Sequence, residues 1–280
     1  PPPPPPPPPS DECDTMQGVV GSPFSGSKRP ADLASSSAAL RVRFTSDDVE
    51  HAAGFLAILD AAPGGLYSSR EYDCTHGESV LAQSSGVLSD GDGDYAPNAA
   101  CAWTVAPPGA EAVSLVFTRL DTEPDYDTVT VEGCSDSSCS SPVSVPGSPF
   151  SGRDLPPVIT AHVPVLRVAF ASDGRVQRPG FKAAFVGSAM VPCASGDEVP
   201  VYGPAALIGD GPGDYSANSD CQWVMERQTG AGPTKLSFLE FETERGFDLV
   251  HVEECAEGVV NVRRKADKTK RQQALAKEFE

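Results

Sequence analysis

Three aspartates spaced two apart offer the most obvious candidate chemistry in this sequence. They read Asp90-Gly-Asp92-Gly-Asp94, which is how an EF-hand calcium loop begins. Such a loop needs glycine at its sixth position and glutamate at its twelfth, where this chain has Tyr95 and Cys101. Glycine adopts tight-turn conformations at no steric cost. We therefore predict a turn here and reject the EF-hand.

Sequence patterns typical of catalysis do not occur in the chain. It contains no G-x-S-x-G, H-E-x-x-H or G-x-x-x-x-G-K-[ST] pattern. Its histidines lie in unrelated contexts, at His51, His76, His162 and His251. We therefore predict that the chain is not an enzyme.

Cysteine usage indicates disulfides. The chain has 8 cysteines but only 4 histidines and no C-x-x-C pair, which favours disulfides over a zinc site. Disulfides persist in oxidising compartments. We therefore predict an extracellular or secreted protein, or the ectodomain of a larger one.

Charge and hydropathy exclude two classes of partner. The formal net charge of -18 disfavours binding to nucleic acid. The longest apolar run, residues 52–59, is far shorter than the roughly 20 residues that cross a bilayer. The chain begins with prolines instead of a basic and then apolar segment, so we predict no signal peptide within it and no membrane span.

Internal repeats organise the sequence. The hexapeptide GSPFSG occurs at residues 21–26 and again at 147–152, an offset of 126. The same offset superimposes residues 40–48 on 166–174. A second offset, of about 120, lays the Cys-x-Trp of Cys101 on that of Cys221. Together they define a unit of about 115 residues with one complete copy and two partial ones.

The repeats give a domain plan. We predict, in order, a proline-rich linker at 1–12, the C-terminal half of a repeat at 13–60, a linker at 61–73, a complete domain at 74–187, the N-terminal half of a repeat at 193–262, and a basic tail, compatible with a helix, at 263–280.

The repeating unit is typical of a β-sandwich. Apolar residues alternate with a period of two, which indicates half-buried strands. Glycine and proline together number 54, so turns are dense and long helices few. We predict an all-β fold of antiparallel jelly-roll β-sandwich modules in tandem. The alternating sets are Cys101/Trp103/Val105, Val113/Leu115/Phe117, Val129/Val131, Leu166/Val168/Phe170 and Phe181/Ala183/Phe185.

Taken in order, the motifs of the complete copy resemble the CUB domain family. The resemblance implies extracellular jelly-roll modules without catalysis of their own. It covers most of residues 74–187 and the partial copies on either side. The motifs are Cys74, Asp94-Tyr95, Cys101-x-Trp103, Leu115-x-Phe117, Leu120-Asp121-x-Glu123, Tyr126-Asp127-x-Val129, Phe170-x-Ser172-Asp173 and Gly180-Phe181-x-Ala183-x-Phe185.

The resemblance also implies disulfides. Cys74 would pair with Cys101 in the complete copy, and Cys193 would pair with Cys221 in the partial copy at 193–262. The family's usual second disulfide is missing, and Cys134 and Cys139 are expected to form a local replacement across a short loop. This leaves Cys13 and Cys255, which we interpret as having lost partners in truncated copies.

A calcium site is the main functional implication of the resemblance. In many CUB domains, calcium is held by acidic residues that correspond to Glu123, Asp127 and Asp173, with Tyr95 supporting them. Three carboxylates supply part of the six to eight oxygens that calcium takes. We expect Asp127→Ala to abolish stabilisation by calcium while leaving the fold intact.

The partial copies keep only parts of this set. The partial copy at 193–262, the third segment, has Tyr215, Glu244 and Asp248 but lacks the last aspartate. The partial copy at 13–60, the first segment, has only Asp47. We therefore expect one complete calcium site, in the middle copy.

The predicted function is binding. Calcium would organise an acidic surface for a protein with exposed lysine or arginine, or for a glycan. Two alternatives remain open: a structural matrix spacer without a specific ligand, or an accessory region of a secreted peptidase or receptor.

Overall fold

The computed structural model describes residues 15–61, 71–74, 77–211, 213–226 and 233–255. These residues contain twenty β-strands and no helix, so the all-β prediction is confirmed. No segment among them has the helical length and hydropathy of a membrane span. The predicted proline-rich linker, Cys13 and the basic tail lie outside the described residues, as do positions 62–70 of the predicted linker.

Ten consecutive strands form a β-sandwich that we call the inserted module. Its sheets have the orders β11-β10-β13-β8-β6 and β12-β9-β14-β7-β5. The strands are β5 (Glu71–Asp73), β6 (Gly77–Leu81), β7 (Ser85–Ser89), β8 (Ala100–Val105), β9 (Val113–Asp121), β10 (Thr128–Cys134), β11 (Val143–Ser144), β12 (Ile159–Ala161), β13 (Val165–Ala171) and β14 (Gly180–Val186).

The other ten strands form a second sandwich, which we call the split module because it comes from both ends of the described chain. Its sheets have the orders β1-β20-β3-β18-β16 and β15-β17-β4-β19-β2. The strands are β1 (Met16–Gly18), β2 (Leu33–Ser35), β3 (Ala39–Thr45), β4 (Gly54–Asp60), β15 (Met190–Pro192), β16 (Glu198–Val201), β17 (Ala205–Gly209), β18 (Asp220–Glu226), β19 (Thr234–Glu242) and β20 (Leu249–Cys255).

The two predicted half-repeats therefore share sheets. Strand β3 of the first segment lies between β18 and β20 of the last, and β4 lies between β17 and β19. The segments at 13–60 and 193–262 were interpreted from the sequence as two separate truncated copies, but their described residues build one sandwich. The repeat period carries no information about which segments pair in space.

Most ladders are antiparallel, as predicted, but four short ones are parallel. These pair β5 with β7, β6 with β8, β15 with β17 and β16 with β18. Strand β5 falls inside the predicted linker at 61–73, because pairing with β7 extends the sheet before Cys74. The inserted module thus begins before its first cysteine.

Each module has its own apolar core. Trp103 in the inserted module is 1% exposed and Trp223 in the split module is 0% exposed, so both are core residues. Disulfides join Cys74 to Cys101, Cys193 to Cys221 and Cys134 to Cys139. Cys255 is also disulfide-bonded, so the interpretation that it had lost its partner is wrong.

The two modules pack sheet against sheet. All seven residues of β4 are buried, because one face contributes to the core of the split module and the other meets the inserted module. The Ser85 hydroxyl donates a hydrogen bond to Asp60 Oδ2 across this contact, at 2.5 Å. The shared apolar cluster comprises Leu56, Ile58, Val116, Ala184, Val186, Ala205 and Leu207.

Candidate metal centres

Three carboxylates meet at one end of the inserted module. Glu123 and Asp127 lie in the turn between β9 and β10, and Asp173 follows β13. Strands β10 and β13 are paired from Thr128 opposite Ala171, so the residues just beyond this pair are neighbours. One oxygen from each of the three carboxylates lies within 4.8 Å of the others. We call this group the inserted-module site.

Asp127 is the fixed point of this site. It is 0% exposed, and each carboxylate oxygen accepts a hydrogen bond. The Tyr95 hydroxyl donates to Oδ2 at 2.5 Å, and the backbone N–H of Asp173 donates to Oδ1 at 2.7 Å. A buried carboxylate is costly unless it is paired or hydrogen-bonded. These donors therefore hold Asp127 in place.

Tyr95 makes hydrogen bonds with two members of the site. The Tyr95 hydroxyl donates to Asp127 and accepts the backbone N–H of Glu123 at 3.1 Å. Burial, and then the hydrogen bond to Asp127, raise the pKa of Tyr95, so it remains a hydrogen-bond donor. Tyr95 therefore links Asp127 to Glu123 through its hydroxyl group, and its role in supporting a metal stays a prediction.

Sequence reasoning missed a threonine that supports the same turn. The Thr122 hydroxyl donates to the carbonyl of Asp127 at 2.9 Å and accepts the N–H of Gly152 at 3.0 Å. Gly152 is the last residue of the second GSPFSG hexapeptide. In the split module, Thr243 makes the same contacts with Asp248 and Gly26. The repeated hexapeptide was a signal for this support.

The donor set of the inserted-module site suits a hard cation. All of the side-chain atoms that it offers to a metal are carboxylate oxygens, the ligands that calcium prefers in proteins. Glu123 Oε2 is buried and has no hydrogen-bond partner among the described residues. A buried carboxylate oxygen without a partner is unfavourable, and a bound cation would satisfy it. Glu123, Asp127 and Asp173 therefore fit a calcium ion.

A second group of three carboxylates lies in the split module. Asp47, Glu244 and Asp248 have carboxylate oxygens within 4.8 Å of one another, and we call them the split-module site. The Asp47 backbone N–H donates to Asp248 Oδ1 at 2.9 Å, which matches the bond from Asp173 to Asp127. The aspartate that the third segment lacks is thus supplied by the first segment.

The rest of the split-module site repeats the same pattern. The Tyr215 hydroxyl donates to Asp248 and accepts the N–H of Glu244. Desolvation, and then the carboxylates of Asp47, Glu50 and Asp248, raise the pKa of Glu244. Glu244 Oε2 is buried without a hydrogen-bond partner among the described residues, like its counterpart in the other module. The split-module site also fits a calcium ion.

Asp90, the first residue of the rejected EF-hand pattern, has a structural role. Asp90 Oδ1 accepts the backbone N–H of Phe181 at 2.5 Å, and Asp210 Oδ1 accepts that of Phe55 at 2.5 Å. A Cβ at Gly54 would overlap the Asp210 carboxylate, and its φ of +80° also favours glycine. These aspartates anchor β14 and β4 and are not part of either carboxylate group.

Comparison with protein families assigns the inserted module. Residues 74–185 match the sequence model of the CUB domain. The chain therefore contains a CUB domain in this region, in agreement with its motifs. Such a domain is a non-catalytic interaction module of extracellular proteins.

Curated relatives extend beyond this region. Tolloid-like protein 1 of Mus musculus is 28% identical over 79% of this chain and 28% of its own length. Procollagen C-endopeptidase enhancer 1 of Homo sapiens is 30% identical over 58% of this chain and 36% of its own length. The chain thus spans about a third of the length of these relatives.

Among solved structures, the MASP-1 CUB2 domain bound to Ca²⁺ matches 39% of this chain and 96% of its own at 20% identity, with a TM-score of 0.33.

Proposed function

We propose that the chain is a calcium-dependent protein-binding segment with one calcium site in each module. The observation that carries this proposal is the convergence of three carboxylates twice, in the same arrangement of turn glutamate, buried aspartate and strand-end aspartate. In the split module the three come from segments about 200 residues apart. The same arrangement is built from segments that are connected differently along the chain. A shared ligand explains this repetition better than unrelated loop charges do.

Charge indicates the chemistry of the partner. Three carboxylates carry three negative charges and calcium carries two positive ones, so each loaded site keeps a net charge of about minus one. Charge-assisted hydrogen bonds from lysine or arginine to carboxylates are strong. We propose that the acidic surface at each site binds a lysine or arginine of a protein partner, with a glycan as the alternative ligand.

We also propose that the split module is a CUB-like domain whose two halves occur in reversed order. Its disulfide from Cys193 to Cys221, its buried Trp223 and its site residues each correspond to a feature of the CUB domain at 74–185. The reversal leaves the sandwich intact because the two halves still pair along β3 and β4.

Calorimetric titration of the full chain with calcium tests the proposal. We expect two calcium ions per chain, one ion for Glu123→Gln or Glu244→Gln, and none for the double variant. Glu111→Gln is the control, because Glu111 is exposed in a turn outside both sites. Absence of heat and of any rise in melting temperature would leave the structural spacer as the better function.

A further inference from the structure

The hexapeptide GSPFSG occurs unchanged in both modules, at residues 21–26 and 147–152. Other repeated segments have diverged more, since residues 40–48 differ from residues 166–174 at 3 of 9 positions. An exact copy of six residues is expected where most of them make specific contacts. The structure shows these contacts, because the same hydrogen bonds occur in the two modules.

The first part of the hexapeptide in the inserted module lies along β10. The Ser148 hydroxyl accepts the backbone N–H of Val131 at 2.8 Å. Phe150 and Val129 exchange two backbone hydrogen bonds, each of 2.8 Å. Val129 is also paired with Phe170 of β13, so the hexapeptide and β13 lie on opposite sides of β10.

The last two residues of the hexapeptide contact the turn between β9 and β10, which carries two of the three site carboxylates. The Ser151 hydroxyl accepts the backbone N–H of Asp125 at 3.1 Å. Gly152 donates its N–H to the Thr122 hydroxyl at 3.0 Å, and its carbonyl accepts the N–H of Thr122 at 2.9 Å. Thr122 in turn donates to the carbonyl of Asp127. The hexapeptide therefore joins β10 to both ends of this turn.

The split module has the same contacts, although its hexapeptide and its turn belong to different segments of the chain. The Ser25 hydroxyl accepts the backbone N–H of Gly246 at 3.0 Å, and 221 residues separate the two. A set of contacts that is kept across a different chain connection indicates that the hexapeptide serves the turn. The matching pairs are Ser22 with Val252, Phe24 with Val250, Ser25 with Gly246, and Gly26 with Thr243.

We propose that the hexapeptide positions the calcium-binding turn of each module, and that Ser151 and Ser25 are positioning residues of the two sites. This inference rests on the calcium binding proposed above. The N–H of Asp173 holds Asp127 from the β13 side, and the hexapeptide holds the same turn from the other side of β10. A turn fixed from both sides has its carboxylates in place before calcium binds, so less conformational entropy is lost on binding.

Calcium titration of serine variants of the full chain tests this proposal, with one site removed in each background. In Glu244→Gln chains the inserted-module site remains, and Ser151→Ala should weaken calcium binding there about tenfold. Ser151→Thr keeps a hydroxyl acceptor and should retain the affinity. Ser25→Ala is the matched control, because it acts on the other module. It should have no effect in Glu244→Gln chains and should weaken binding in Glu123→Gln chains.

Amide hydrogen exchange in EDTA measures the position of the turn without calcium. The Asp127 N–H donates to the carbonyl of Glu123 at 3.1 Å, so Ser151 does not accept it. We expect Ser151→Ala to speed exchange of this amide at least about tenfold, because the turn around it becomes less fixed. The Val131 amide, which donates to Ser148, should keep its exchange rate.

The two measurements distinguish this proposal from the proposed function. A parent chain that binds no calcium would contradict the function, and exchange of the Asp127 amide would then decide whether the hexapeptide positions the turn. An unchanged exchange rate in Ser151→Ala would overturn the proposal. In chains that bind calcium, equal affinities of Ser151→Ala and Ser151→Thr would overturn it as well. Faster exchange of both the Asp127 and Val131 amides would indicate general destabilisation and also contradict it.

Discussion

Asp47 donates its backbone N–H to Asp248 Oδ1 at 2.9 Å, although 201 residues separate them in the chain. The bond joins the end of β3 to the start of β20, which are paired strands of one sheet. The split-module site is therefore a product of tertiary pairing, and each of its two contributing segments is incomplete alone.

Asp47→Asn should remove calcium from the split-module site only. The substitution deletes one of three carboxylate charges but keeps the backbone N–H that Asp248 accepts. We expect affinity at this site to fall at least about tenfold, with the inserted-module site unchanged, in a calcium titration. Asp48→Asn is the matched control, because Asp48 is exposed and outside the group. Equal losses in the two variants would indicate a general charge effect.

Asp127→Ala should destabilise the chain even without calcium, contrary to what we expected from the sequence. The substitution leaves the Asp173 N–H without its acceptor, and it leaves the Tyr95 hydroxyl with only the more distant carbonyl of Val176, at 3.3 Å. Each unsatisfied buried group costs about 1–3 kcal/mol, so we expect a loss of about 2–4 kcal/mol in urea unfolding with EDTA present. Glu123→Gln should change this free energy by less than about 1 kcal/mol, because Glu123 Oε2 has no partner to lose. Similar losses for both variants would contradict this difference.

Sequence patterns predicted strands well because period-two alternation is local. Leu166, Val168 and Phe170 alternate inward along β13, and all three are buried. The same patterns did not predict that β3 lies between β18 and β20, because pairing depends on which segments meet in space. For the same reason, the motifs brought Glu123, Asp127 and Asp173 together as one candidate group but left Asp47 apart from Glu244 and Asp248.

The buried aspartates should make stability depend on pH. Burial raises the pKa of both Asp90 and Asp210 from 3.8 to about 6, with Arg119 opposing the shift at Asp90 and Glu240 adding to it at Asp210. The folded state therefore binds these protons more tightly than the unfolded state does. Their contribution to stability is fully present below about pH 4 and is lost as pH rises through about 6.

Asp210→Asn isolates this effect. An asparagine oxygen can still accept the N–H of Phe55, and no carboxylate remains to be ionised. Relative to the parent chain, the variant should gain up to about 3 kcal/mol between pH 4 and pH 8 in urea unfolding with EDTA. Asp90→Asn should show a gain of similar size, because the pKa of Asp90 is also raised to about 6 with the contribution of Arg119 included. A pH-independent difference for Asp210→Asn would show that this carboxylate is ionised in the folded state throughout the range.

The packed sheet faces should make the two modules unfold together. Ile58 is 1% exposed in the cluster shared by the modules, whereas its neighbour Leu59 is 0% exposed in the core of the split module. Truncating either side chain to alanine costs about 2–5 kcal/mol, but on opposite faces of β4. In scanning calorimetry we expect one transition for the parent chain and for Leu59→Ala, which lowers its temperature. Ile58→Ala should weaken the contact between modules and separate the unfolding into two transitions.

Two transitions in the parent chain would mean that the contact does not couple the unfolding of the two modules. Two transitions in Leu59→Ala alone would mean that the coupling depends on the core of the split module instead of the interface.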